Sequence, residues 1–151
     1  MRQENRELLL KDICARLPYG VKINTIQGDF TLLGLTNERV FTTCEVEGCH
    51  NDFPIELIKP YLFPLSSMTE EEAKELSILY GIKDILSINI TDEYIDFKVD
   101  DGFCSFERKT IWYNEIISST ETFDWLNKNH FDYRYLIPMG LAIDATELNI
   151  Y

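Results

Sequence analysis

The sequence predicts an α+β protein, and three features of its 151 residues carry that expectation. An amphipathic pattern opens the chain and gives way to short β-like runs. A helix with explicit capping signals then follows. Beyond it, residues 85–109 spell a β-meander with one apolar face. The expected order is an N-terminal helix and a small SH3-like bent sheet, then a helix, a three-stranded antiparallel meander and C-terminal helices.

The first helix is expected over residues 3–17, because Leu10, Cys14 and Leu17 fall at i, i+4 and i+7, with Leu9 and Ile13 widening the stripe. Pro18-Tyr19-Gly20 ends it. Strand-like runs at 21–26, 30–35 and 40–46 are divided by Gln27-Gly28-Asp29, Thr36-Asn37-Glu38 and Glu47-Gly48. Three hairpin-connected strands and a tight segment at 53–58 suggest a strongly bent sheet. The apolar stretch at 59–67 is the one plausible internal boundary. Residues 1–65 (helix plus β-barrel-like region) and 66–151 (helix, meander and C-terminal helices) are expected to pack as one compact unit.

Thr69 with Glu72 predicts a capping box, Met68 a staple against Ala73, and Gly81 with Ile82 a Schellman ending. Leu76, Leu79 and Tyr80 are the expected buried side of this helix. In the meander, two-residue turns at Asp92-Glu93 and Asp101-Gly102 pair Ile90 with Ile95, Ile88 with Phe97 and Leu86 with Val99. They also pair Val99 with Cys104 and Phe97 with Phe106. All eight residues then share the inward face. Ser118 and Glu121 suggest a second capping box, opening a helix to about residue 129 with Phe123, Leu126 and His130 on one face. Asp132 is expected to cap one further turn, and Leu141, Ala142 and Ile143 to add a short extended segment.

Composition excludes several function classes. Lys and Arg total 14 against 26 Asp and Glu, and the net charge of -12 repels phosphate backbones and anionic lipid surfaces. Direct nucleic-acid binding is therefore not expected. No apolar run approaches the ~20 residues that cross a bilayer. The charged start, Met1 to Glu7, lacks the apolar core and cleavage site of a secretory signal, which points to the cytoplasm. Cys14, Cys44, Cys49 and Cys104 are too few and too irregular for a disulfide scaffold and are expected to be thiols.

No catalytic motif is assembled in the sequence. Cys44-x4-Cys49-His50, with Cys104 or His130 as a fourth ligand, is the nearest approach to a zinc site, but its spacing fits no zinc ribbon or knuckle and small buried thiols explain it better. Asp96 to Glu107 imitates a calcium loop, yet Lys98 stands where an oxygen ligand belongs and Asp101 where the turn needs glycine. His130, Asp132 and Arg134 concentrate acid–base groups, and Cys104 is a conceivable nucleophile for His130, but a helix cap and an ion pair account for the same residues. Metal, cofactor and catalytic residues are accordingly expected to be none.

Aromatics supply the remaining lead. Most of Tyr61, Phe63, Tyr80, Trp112, Tyr113, Trp125, Phe131, Tyr133 and Tyr135 are core by default, whereas exposed Tyr and Trp mark protein interfaces. Trp112, Tyr113, Trp125, Tyr133 and Arg134 are the expected protein-binding residues.

Two segments, residues 55–69 (IELIKPYLFPLSSMT) and 124–134 (DWLNKNHFDYR), together with the 8–17 helix running into Pro18-Tyr19-Gly20-Val21, resemble small uncharacterised proteins of gut anaerobic bacteria and of their phages and other mobile elements. The resemblance implies a cytoplasmic protein of a mobile element and transfers no catalytic residue. The expected function is non-enzymatic binding of a protein partner. One alternative is an acidic inhibitor that mimics DNA towards a host nucleic-acid-handling or defence system; another is a small-ligand binding or sequestering protein.

Overall fold

Helix α1 (Gln3–Arg16) buries Leu9 and Ile13, as expected, together with Asp12 and Arg16, so that the buried stripe is rotated away from Leu10 and Cys14. Cys14 faces solvent, and Leu10 and Leu17 are only half-buried. The rotation has an electrostatic cause, since Asp12 and Arg16 neutralise each other one turn apart and so enter the core beside Leu9 and Ile13. Gly20, at φ 66°, then turns the chain into the first strand.

The structure is a computed structural model that describes residues 1–43 and 50–151. Among these the protein is a mixed α+β fold with three α-helices and two sheets. It divides into two compact units, one of Met1–Phe63 with Arg134–Tyr151, the other Pro64–Tyr133.

The first unit holds a six-stranded mixed sheet. Strands β1 (Lys22–Thr25), β2 (Gly28–Leu35), β3 (Arg39–Thr42), β4 (Asn51–Pro54), β5 (Lys59–Leu62) and β9 (Ile143–Asp144) lie in the order β4-β3-β2-β1-β5-β9. All pairs are antiparallel except β5 with β9. A bulge between Leu32 and Gly34 bends β2, as an extra residue on one strand does. Lys59–Leu62, at the start of the expected boundary stretch, is a strand with Pro60, Tyr61 and Leu62 all buried, and the division between the two units follows it at Phe63 and Pro64. Leu9, Ile13, Val21, Ile23, Val40, Ile55, Leu62 and Leu136 belong to one apolar core. The far end of the expected 40–46 strand, the Glu47-Gly48 turn, Cys44 and Cys49 lie outside the described residues.

In the second unit α2 (Glu70–Leu79) is capped as expected. The Glu72 N–H donates to Thr69 Oγ1 at 3.2 Å, and the Thr69 N–H donates to the Glu72 carboxylate at 2.7 Å. The Ile82 N–H donates to the Ser77 carbonyl at 2.9 Å around Gly81, whose φ of 67° completes the Schellman ending. Met68 and Ala73 are both buried, Leu76 likewise, but Leu79 is exposed and Tyr80 half-buried. Helix α3 (Thr120–Lys128) is capped by Ser119 rather than Ser118, its hydroxyl accepting from the Thr122 N–H at 3.1 Å. Its end also has Schellman geometry, with His130 at φ 58° and the Phe131 N–H donating to the Leu126 carbonyl. Turns follow it. The expected C-terminal helices therefore reduce to α3 among the described residues.

The meander forms from β6 (Ile85–Ile90), β7 (Tyr94–Asp100) and β8 (Phe106–Trp112), in that spatial order. Its first turn is as expected, with Ile90 opposite Ile95 and Ile88 opposite Phe97. A bulge then leaves Leu86 unpaired and exposed, and Ile85 takes its place opposite Val99. The second turn departs further. The Asp101 carboxylate accepts from the Phe103 and Ser105 N–H groups and from the Ser105 hydroxyl, folding residues 101–105 into a wider loop. Val99 consequently faces Glu107 instead of Cys104, an odd slip that reverses every side chain of β8. Phe106 and Cys104 lie in solvent, and Ile111 joins Ile95, Phe97 and Val99 inside.

Candidate functional site

The reversal of β8 builds an exposed surface on the sheet. On that face Tyr94 stands opposite Trp112, Asp96 opposite Thr110, Lys98 opposite Arg108, and Asp100 opposite Phe106. Trp112 and Tyr94 touch, with ring centroids 4.9 Å apart and planes tilted by 60°. At the other end the Lys98 ammonium lies 3.9 Å from the centre of the Phe106 ring. Trp112 is 47% and Phe106 52% exposed, and Phe103, in the loop that feeds the strand, is 87% exposed.

Two cations directly opposite one another would repel. Here each leans away: Lys98 to the Phe106 ring, and Arg108 to Asp96, 3.3 Å distant. Asp96 also accepts from the Thr110 hydroxyl at 3.1 Å. The result is an aromatic pair at one end, a cation on a ring at the other, and a paired carboxylate between them. Its carboxylates, Asp96 and Asp100, are balanced by Lys98 and Arg108, although the whole chain carries -12.

The expected binding residues do not all share this surface. Trp112 is on it. Tyr113 is buried, and its hydroxyl donates to the Leu65 carbonyl at 3.2 Å; desolvation, reinforced by Asp92, raises its pKa strongly. Tyr133 is buried as well, donating to Asn127 Oδ1 at 2.8 Å. Trp125 is half-buried, stacked on Phe131 at 5.5 Å, with its indole N–H donating to Glu75 at 3.1 Å. Arg134 belongs to the other unit, where its Nε stands 3.3 Å from the buried Asp12 carboxylate. Tyr94, Lys98, Phe106 and Arg108 share this face with Trp112 and were not among the expected binding residues. Tyr94 and Lys98 follow from the outward alternation of β7, whereas Phe106 and Arg108 come to this face only with the slipped register of β8.

Other groups of chemical interest are dispersed. Cys104 is exposed in the 101–105 loop, whereas His130 and Asp132 are buried after α3. Asp96 and Glu107, the ends of the imitation calcium loop, lie on two different strands and pair with Arg108 and Lys109. No group of three or more His, Cys, Asp or Glu residues suited to a metal ion occurs among the described residues. No described helix is long and apolar enough to cross a membrane.

Two hollows formed by described residues lie on the first unit. One, of about 500 Å³, is edged by Arg6, Glu38, Arg39 and Glu56. Its cations are already engaged, Arg6 with Glu56 at 2.8 Å and with the Asn37 carbonyl, Arg39 with Asp52. The Glu56 carboxyl is held below its usual range by its own backbone N–H and by Arg6. The other, of about 420 Å³, is lined by Leu33, Gly34, Phe41 and His50, whose two rings meet edge to face at 5.5 Å. No family model, curated protein or solved structure matches the chain.

Proposed function

We propose that this protein is a non-enzymatic binding module for another protein, acting in the cytoplasm as a product of a phage or other mobile element. Its docking surface is the solvent face of the meander. The observation that carries this reading is the Trp112–Tyr94 pair, half-exposed on an open sheet in line with Phe106 and Phe103. Large rings left in water beside an Arg have the composition of an interface centre rather than of an ordinary surface. The bent sheet of the first unit, with its bulged β2 and antiparallel β4-β3-β2-β1-β5 order, supports reading that part as an SH3-like barrel.

The acidic-inhibitor alternative is weaker on this face, because its carboxylates are matched by cations. A small-ligand role finds its best support in the apolar hollow at Leu33, Phe41 and His50. Replacing Trp112 and Tyr94 by alanine separates the readings. A partner recovered by the wild type should lose ~2 kcal/mol or more of binding while the folding midpoint stays nearly unchanged. Equal recovery by both proteins rejects this surface, and turnover of a substrate by the purified chain rejects a non-enzymatic role.

A further inference from the structure

We infer that two copies of this chain associate through the open edge of β6, antiparallel and about a two-fold axis, to give one continuous six-stranded sheet. Four strands end the sheets among the described residues, namely β4, β9, β6 and β8. Open strand edges invite pairing, and proteins blunt them with charge, proline or shortness. Three of the four are blunted in this way. Strand β4 carries Asp52 and Pro54, β9 has two residues, and β8 holds Glu107, Arg108 and Lys109 in succession.

Strand β6 has none of these three; its one irregularity is the bulge at Leu86, which leaves Ser87, Ile88, Asn89 and Ile90 as the regular stretch of its edge. Its sequence, Ile-Leu-Ser-Ile-Asn-Ile, contains no charge, no proline and no glycine in a chain that is 26% charged. Leu86, Ser87 and Asn89 are exposed. The Thr91 N–H bonds to the Tyr94 carbonyl at the end of the hairpin. By the alternation of an antiparallel ladder, Asn89 bonds inward to β7 and the N–H and C=O groups of Ile88 and Ile90 face away from it. An extended backbone is the chemistry that satisfies them.

A second copy is the occupant this edge fits. Pairing about Ile88 sets it opposite its own counterpart and Ser87 opposite the partner's Asn89, within the regular stretch that follows the Leu86 bulge. No charge opposes a like charge along the strand. At each end the same register brings Lys83 towards the partner's Glu93 and Asp84 towards the partner's Asp92, one attraction against one repulsion. A perpendicular two-fold keeps both apolar faces, with Ile95, Phe97 and Val99, on the same side. The remaining opposition is long-range, from -12 on each copy, and salt screens it.

Sedimentation and light scattering across protein concentration test this, at low and at moderate salt. The wild type should dimerise, more tightly as salt rises. Ser87→Lys with Asn89→Lys places like charges opposite one another and should weaken dimerisation by about tenfold or more. The corresponding Glu pair should do the same, and a mixture of the two variants should restore the dimer. Hydrogen exchange of the wild type gives a check that needs no variant: the Ile88 and Ile90 amides should become protected as concentration rises. A wild type that stays monomeric with these amides unprotected overturns the inference and leaves the edge to a strand from another protein. A dimer that persists in the lysine variant overturns it too, by placing the interface elsewhere.

Discussion

Asp12 and Arg16 stand one turn apart on α1 with neither side chain reached by solvent, joined by two hydrogen bonds of 2.8 and 3.1 Å. Arg134, from the segment that returns after α3, brings its Nε to 3.3 Å from the same carboxylate. One carboxylate thus serves two guanidinium groups, fastening the returning segment to the first helix. Because burial strips the ions of water, removing one member costs more than the intact cluster contributes.

Asp12→Asn should therefore destabilise the protein by ~3–5 kcal/mol, the range for a buried pair broken on one side. Urea denaturation followed by tryptophan fluorescence and circular dichroism measures it. Arg134→Met, at a side chain that retains some exposure, should cost distinctly less. Equal small losses for both would show that the cluster is solvated.

The same cluster explains what the sequence hid. The expected face rested on the apolar spacing of Leu10, Cys14 and Leu17, and because charged residues are exposed by default nothing local marked Asp12 and Arg16 as a buried pair. Thr69, Glu72, Gly81 and the Asp92-Glu93 turn were legible because the signals that place them are local. The second meander turn was not legible, since the Asp101 carboxylate competes with the two-residue turn by collecting the N–H groups of Phe103 and Ser105. Ile111, beyond the expected strand, then displaces Phe106 from the core, and with that slip the Tyr94–Trp112 surface appears. Strand β9 pairs parallel with β5 across most of the chain, a contact that no local pattern encodes.

That slip makes a direct mutational comparison. Phe97 is fully buried and Phe106 about half-exposed, though the two-residue turn would have paired them inside. Phe97→Ala should cost ~3–5 kcal/mol through the cavity it leaves, whereas Phe106→Ala should stay within about 1 kcal/mol. Ile111→Ala should follow the buried pattern, at ~2–5 kcal/mol. Large, equal losses at Phe97 and Phe106 with none at Ile111 would restore the tighter turn.

Burial raises four phenols, Tyr61, Tyr80, Tyr113 and Tyr151, and the two raised furthest, Tyr113 and Tyr151, give the protein a pH limit on the alkaline side. Tyr113 is raised by burial and by Asp92. Tyr151 donates to the Tyr61 carbonyl at 2.9 Å and accepts from the Lys22 N–H at 3.1 Å, and desolvation pushes it up to about 12, against the opposing pull of that N–H and of Arg16. A folded-state value above the ordinary 10.0 means the unfolded chain loses its proton first. Below about pH 10 both states hold the proton and this contribution is fully present; as pH rises towards 12 the unfolded state is favoured and stability falls. The urea midpoint should hold steady up to about pH 9 and then drop, with part of the tyrosinate absorbance lagging until the chain unfolds. Tyr113→Phe and Tyr151→Phe should each flatten that drop while lowering the neutral-pH midpoint by the loss of their hydrogen bonds, ~1 kcal/mol apiece. An unchanged alkaline slope in both variants would show that these phenols ionise as freely in the folded protein as in the unfolded chain.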